Sequence, residues 1–214
     1  MAGPGAYETG TRHGKDMTMA RRKVQEKRRL QILKALDACL QRKSFEKTSI
    51  KDIAREAGVN HGVLHYYFKS KEEILLNYID YVIEDYRAQA REWMGGRDLE
   101  HSTKREFIDE VFAFVNNRIT LNKSLSRIFV EIWEIALYNP AVRGKLREAY
   151  TRWVEDLGEM ISRHIEDKAF ARNVSIAMVA FWEGMALFST VFPPGSLAVG
   201  DVLKGFQQRI VEIL

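Results

Sequence analysis

From Ile32 onward the apolar positions recur every three or four residues, interrupted by short polar turns, and strand-like alternation is absent. Ile32, Leu33, Leu36, Cys39 and Leu40 form one such stripe, on a first helix. Further helices are predicted over 50–57, 61–68 and 71–93, the last ended by Gly95-Gly96. Five more are predicted near 104–121, 124–138, 140–167, 169–190 and 198–213. Pro140 after Asn139 suits a first helical position, and Pro193-Pro194-Gly195 marks a break. The predicted class is all-α, with about nine helices.

The densest local information lies in residues 48–75, TSIKDIAREAGVNHGVLHYYFKSKEEIL. Ser49 and Asp52 make an S-x-x-D capping box at the start of one short helix. Ala54 provides a small residue where two helices cross, and Gly58 provides the positive φ of a sharp turn. Asn60 can cap the next helix, which buries Leu64 and Phe68 and leaves His61, Gly62, Val63, His65, Tyr66 and Tyr67 largely free. That is the layout of a helix-turn-helix whose second helix enters a major groove. The alternative is an ordinary αα-hairpin in a helical protein.

Charge supports the first reading. Residues 1–71 carry 16 Lys/Arg against 7 Asp/Glu, whereas residues 72–214 carry 17 against 22. A polyanionic partner therefore fits only the first third. Arg21, Arg22, Lys23, Lys27, Arg28 and Arg29 cluster at the start of the first helix, either as phosphate contacts or as a solvated basic face. Residues 1–19, with four glycines and no periodicity, are expected to be a disordered arm. The domains predicted are that arm, a DNA-binding domain over 20–71, and a helical effector-binding and dimerisation domain over 72–214. Cys39 is alone and on an apolar face, so it is expected to be a buried thiol in a cytoplasmic protein.

The motifs TSIKDIA, AGVNHG, YYF and KSKEEIL resemble, in order and spacing, the TetR/AcrR family of bacterial transcriptional regulators, over about 45 residues from Ile32. Two positions depart from the family pattern. Ser44 stands where a glycine often ends the first helix, and His65 stands where a phosphate-contacting tyrosine is usual. The resemblance implies that Thr48, Ser49, Tyr66, Tyr67 and Lys71 touch phosphate. Asn60, His61, Gly62 and Val63, at the N-terminal end of the recognition helix, are assigned to base edges or their rim, with His65 beside them. The partner implied is a palindromic double-stranded DNA operator.

From Asn173 to Phe192 the only charged residue is Glu183, and apolar side chains occupy every face. A membrane span is disfavoured by that central carboxylate and the interspersed polar residues, so burial on all sides is expected. Val199, Leu203, Phe206, Ile210 and Ile213 follow at 4-3-4-3 spacing. The last two helices of each chain are expected to build a four-helix homodimer interface, as the resemblance implies; burial within one chain is the alternative.

Phe129, Trp133, Trp153, Phe181 and Trp182 lie close in sequence to Glu134 or Glu183. They are the candidate lining of an effector cavity. The ligand expected is an apolar small molecule, cationic in the sharper version; plain core packing is the alternative. The segment FVEIWEIALYNPAVRGKLREAYTRWVEDL also resembles the effector domain of choline-responsive TetR regulators. Glu131/Glu134 lacks the Glu-x-x-His partner of a di-iron site, so no metal site and no cofactor are expected. Nucleophile–base, P-loop and dinucleotide motifs are missing, and no enzyme is expected. The function expected is a homodimeric transcriptional regulator, most simply a repressor released by its effector. The rivals are a ligand-independent architectural DNA binder and a helical binding protein or enzyme.

Overall fold

A computed structural model describes residues 10–98, 101–193 and 195–214, with side chains at Met19 and from Arg21 onward. Among the described residues there are nine α-helices and no strand: α1 Gly10–Leu40, α2 Ile50–Glu56, α3 His61–Tyr67, α4 Lys71–Gly95, α5 Lys104–Val115, α6 Lys123–Tyr138, α7 Pro140–Ile161, α8 Lys168–Val191 and α9 Val199–Ile213. A five-residue π-helical turn, Asn116–Thr120, follows α5 directly.

The chain forms two compact units, Met1–Tyr78 and Ile79–Leu214. The first extends to Tyr78 rather than ending at Lys71, because the opening turns of α4 are part of its core. Ile74, Leu75 and Tyr78 are buried, and the Tyr78 hydroxyl donates to Asp37 of α1 at 2.5 Å. Residues 10–19, expected within a disordered arm, are the first turns of α1; extending an existing helix needs no new nucleus. Residues 1–9 lie outside the described residues.

In the first unit α2 and α3 pack against α1 and against each other. Ser49 and Asp52 form the expected capping box, and Asp52 also takes Lys43 at 2.6 Å and Arg55 at 2.6 Å. The Lys43 ammonium, with the Ser49 hydroxyl and amide, holds the Asp52 carboxyl well below the usual carboxylate range. Gly58 turns the chain at φ +61°, the left-handed region that glycine enters without a Cβ clash. Ser44 does not: no described residue other than glycine has positive φ. Its turn is instead closed by the Thr48 hydroxyl, which donates to the Ser44 carbonyl at 2.9 Å. Cys39 is buried, and burial pushes its thiol up.

In the second unit α8 packs on α6, α7, α9 and the π turn, and α5 packs on α9. The core gathers Phe107, Phe112, Leu157, Ile161, Met178, Trp182, Leu203 and Ile210. One expectation needs correction here. The α9 stripe mainly faces this core: Leu203 and Ile210 are buried, and Phe206 stacks on Phe181 at 3.8 Å between ring centroids. Helix α8, expected to be buried all round with a second copy in place, is buried on one face within its own chain. Val174, Met178, Trp182 and Met185 point inward, while Ile176, Leu187, Phe188 and Val191 are exposed. Among the described residues α8 is the one helix long and apolar enough to cross a membrane; here its buried face is a core face.

Candidate nucleic-acid interface and effector cavity

Helix α3 has seven residues, too few to hold together alone, so its anchors decide its geometry. Leu64 and Phe68 are fully buried, which stabilises by about 1.5–3 kcal/mol each. Asn60 caps the start, its Oδ1 accepting from the Val63 amide at 2.8 Å. Arg29 of α1 locks the end: it donates to the Tyr67 carbonyl at 2.7 Å and to Asn77 at 2.8 Å, with its guanidinium 4.2 Å above the Phe68 ring.

This framework leaves Asn60, His61, Gly62, Val63, His65 and Tyr66 exposed on one short segment, with Tyr67 half-buried. Tyr66, 65% exposed, points its hydroxyl at α1, where Gln25 donates to it at 3.4 Å. The Arg21 guanidinium beside it, together with Gln25, lowers the phenol's pKa. Arg21, Gln25 and Tyr66 thus form a donor-rich corner on a basic unit. That corner was not visible in the sequence, because Gln25 and Tyr66 are 41 positions apart.

The basic cluster divides accordingly. Arg29 is structural, Arg22 pairs with Glu26 at 2.9 Å, Arg28 bonds Gln31 at 2.9 Å, and Arg21 joins Tyr66. Thr48, expected at phosphate, is 1% exposed with its hydroxyl committed to Ser44, so it is removed from that set. Ser49 is exposed but carries the helix cap. The Lys71 ammonium donates to the carbonyls of Phe45 at 2.8 Å and Glu46 at 3.3 Å and sits 4.3 Å over the Phe45 ring, so its first role is to brace the loop before α2.

In the second unit, two cavities of about 140 and 290 Å³ share Ile119, Leu125, Phe129 and Glu183. The smaller also takes in Tyr86 and Arg87 of α4 and Tyr150, Arg152, Trp153 and Asp156 of α7. The larger takes in Trp133 and Leu187. A more open groove of about 510 Å³ runs past Trp133, Tyr150, Ile176 and again Glu183. Trp133 Nε1 donates to the Tyr150 hydroxyl at 3.2 Å, and Tyr150 bonds Glu183, so α6, α7 and α8 are tied together at the cavity wall.

Of the predicted lining, Phe129, Trp133, Trp153 and Glu183 face these cavities. Glu134 does not: it lies on the exposed side of α6. Phe181 is turned to Phe206, and Trp182 is buried behind the wall, stacked on Trp153 at 6.2 Å and edge-on to Phe112 at 5.0 Å. Tyr86, Arg87 and Asp156 had no place in the prediction. The face of α7 that carries Tyr150, Trp153 and Asp156 recurs at three-residue spacing, a signal that was available.

Glu183 lines both cavities and the groove. Burial pushes its carboxyl up, and the Tyr150 hydroxyl only partly offsets this. No described basic side chain pairs with it, whereas Arg152 pairs with Glu148. Tyr150 is also pushed up, by burial and by the Glu183 charge. Among the described residues, no group of three or more His, Cys, Asp or Glu side chains is placed to hold a metal ion.

Residues 32–78 match the family model for bacterial regulatory proteins, tetR family. The HTH-type transcriptional regulator YfiR of Bacillus subtilis (strain 168) is 24% identical over 160 residues, covering 72% of this chain and 74% of the relative. The HTH-type transcriptional regulator BetI 2 of Chromohalobacter salexigens is 24% identical over 170 residues, covering 78% and 80%. A solved transcriptional regulator from Pseudomonas aeruginosa PAO1 superposes with a TM-score of 0.73 at 18% identity, covering 87% of this chain and 89% of that one. One from Saccharomonospora viridis, in complex with choline, gives 0.71 at 20% identity, covering 87% and 96%.

The raised Glu183 carboxyl has a consequence for stability. An acid whose pKa is higher in the folded than in the unfolded chain loses stability as pH rises from the unfolded value, about 4.3, through the folded one. Glu183→Gln removes that loss. Its melting temperature should exceed that of the parent at pH 8, and the gap should close in acid; an equal gap at both pH values would show that the carboxyl is not held out of water.

Proposed function

Since the chain belongs to the tetR family of bacterial regulatory proteins, we propose that it is a cytoplasmic, homodimeric repressor that leaves a palindromic operator when a small cationic effector fills its second unit. The observation that carries the DNA part is the exposed face of α3 beside the Arg21–Gln25–Tyr66 corner. Arg21 and Tyr66 take phosphate, which sets position; Asn60, His61, Gly62 and Val63 meet base edges, which sets sequence. Tyr67, His65, Ser49 and Lys71 stand at the rim. Effector release follows from differential affinity for two conformations of the regulator.

Glu183 supports the choice of effector. It is a carboxylate with no ion-pair partner in an aromatic-walled cavity that Arg87, Arg152 and Asp156 also line, and a cation there gains both a counter-ion and the faces of Trp153, Tyr150 and Phe129. The choline bound in the Saccharomonospora viridis regulator is a ligand of this chemistry. The dimer is assigned to the exposed apolar side of α8, including Ile176, Leu187, Phe188 and Val191, with Val202 and Ile213 of α9. An unpaired apolar face of this kind marks an association surface.

The DNA reading is tested by selecting bound sequences from a random pool with the purified protein, then measuring variants on the selected site. Arg21→Ala should weaken binding to all sequences alike and reduce the salt slope by about one unit. His61→Ala should relax preference at one or two positions, at about 1–3 kcal/mol. Identical, sequence-independent losses in the two variants would break the division of roles.

For the dimer, two glutamates placed on opposite sides of the same helix pair give opposite outcomes. Leu187→Glu should yield a folded monomer with weak operator binding. Phe206→Glu should destabilise the second unit, since it sets a carboxylate against the Phe112 and Phe181 rings at the edge of the core. Light scattering and thermal melts separate the two; a Leu187→Glu dimer would remove α8 from the interface.

For the effector, calorimetry of quaternary amines against acyl anions is decisive. Affinity for the amines should fall as pH drops and Glu183 takes up its proton, and it should drop sharply in Glu183→Gln. Operator release by anions alone would end the cationic reading.

A further inference from the structure

Helix α3 carries a feature that goes beyond the base-edge and rim roles given to its side chains. His61 and His65 stand four residues apart, one above the other on the same face of α3. Their Nε2 atoms are 3.2 Å apart, with ring centroids at 4.3 Å and planes inclined by 75°. Both imidazoles are exposed. In the metal-free pair one Nε2–H donates to the lone pair of the other. With both protons on Nδ1 instead, two neutral nitrogen lone pairs stand on atoms 3.2 Å apart.

We propose that His61 and His65 form a binding site for one divalent transition metal ion of the Zn2+ kind. A metal bound to both nitrogens at the usual zinc–imidazole length of about 2.0–2.1 Å would see them at an angle of roughly 100°, close to tetrahedral. The helical spacing H-x-x-x-H is the one that zinc-binding helices use to present two imidazoles to one ion. Neutral imidazoles select zinc, nickel or copper over magnesium and calcium. Gly62 follows His61 where the hydrolytic version of the motif has a glutamate, so this site has no base for a bound water and is not a hydrolase centre. The protein supplies two ligands, and water or an outside donor completes the shell.

The ion would replace a neutral pair by a dication at the end of α3 assigned to base edges. It would also occupy both Nε2 atoms, so sequence preference would respond to metal; this second step rests on the DNA reading. The site itself does not, and it is tested without DNA. The full chain, stripped of metal, is titrated with Zn2+ against a chromophoric chelator. One Zn2+ per chain is expected, with at least about tenfold weaker binding in His61→Ala and in His65→Ala, since even outer-shell losses cost that much. His101→Ala, which removes another exposed histidine, should bind as the parent does. Circular dichroism of the variants should match the parent, as neither ring is part of the core. Equal binding by all three variants, or none by the parent at millimolar Zn2+, overturns the site and leaves the DNA reading standing.

Discussion

A seven-residue helix cannot persist in water by its own hydrogen bonds, and the recognition element of this protein is one. Everything the first unit does depends on supplying α3 with what it lacks. Leu64 and Phe68 anchor it by burial, Asn60 satisfies its first amides, and Arg29 reaches across from α1 to the Tyr67 carbonyl. Because Arg29 also stacks on Phe68 and bonds Asn77, one guanidinium joins α1, α3 and α4 within the unit. A basic residue that looks like a phosphate contact in the sequence is thereby the part that keeps the contacting helix in place.

The second unit balances a different constraint. Helix α8 places Trp182 in the core and Glu183, the next residue, at the cavity wall, while Phe188 lies on an exposed apolar side. Consecutive residues of a helix are about 100° apart, so these three directions are available within two turns. The carboxylate is costly to keep there uncompensated. Its one recorded stabiliser is the Tyr150 hydroxyl, itself oriented by Trp133.

What the sequence disclosed follows the range of the interactions involved. The caps at Ser49 and Asn60 and the turn at Gly58 depend on residues three or four apart, and all were legible. The destinations of Thr48 and Lys71 were not equally so. Thr48 turns back on Ser44 only once the preceding loop is folded, and Lys71 spans 26 positions to Phe45. The cavity was half legible for the same reason. Its α6 to α8 aromatics cluster in sequence, but Tyr86 and Arg87 come from α4, and the inward turn of Phe181 depends on where α9 lies.

The α9 stripe shows why periodicity alone could not separate core from interface. Spacing of 4-3-4-3 states that one side of a helix is apolar, not whether the covering surface belongs to the same chain. Here Leu203, Phe206 and Ile210 are covered by α5 and α8, so the same-chain alternative holds for them. The apolar residues left over are on α8, where hydrophobicity on every face hid the distinction. In α8, a buried apolar face and an exposed one together produce a sequence that looks buried throughout. Only the exposure of Leu187 and Val191 beside the burial of Met185 and Trp182 separates the face that folds the chain from the face left open.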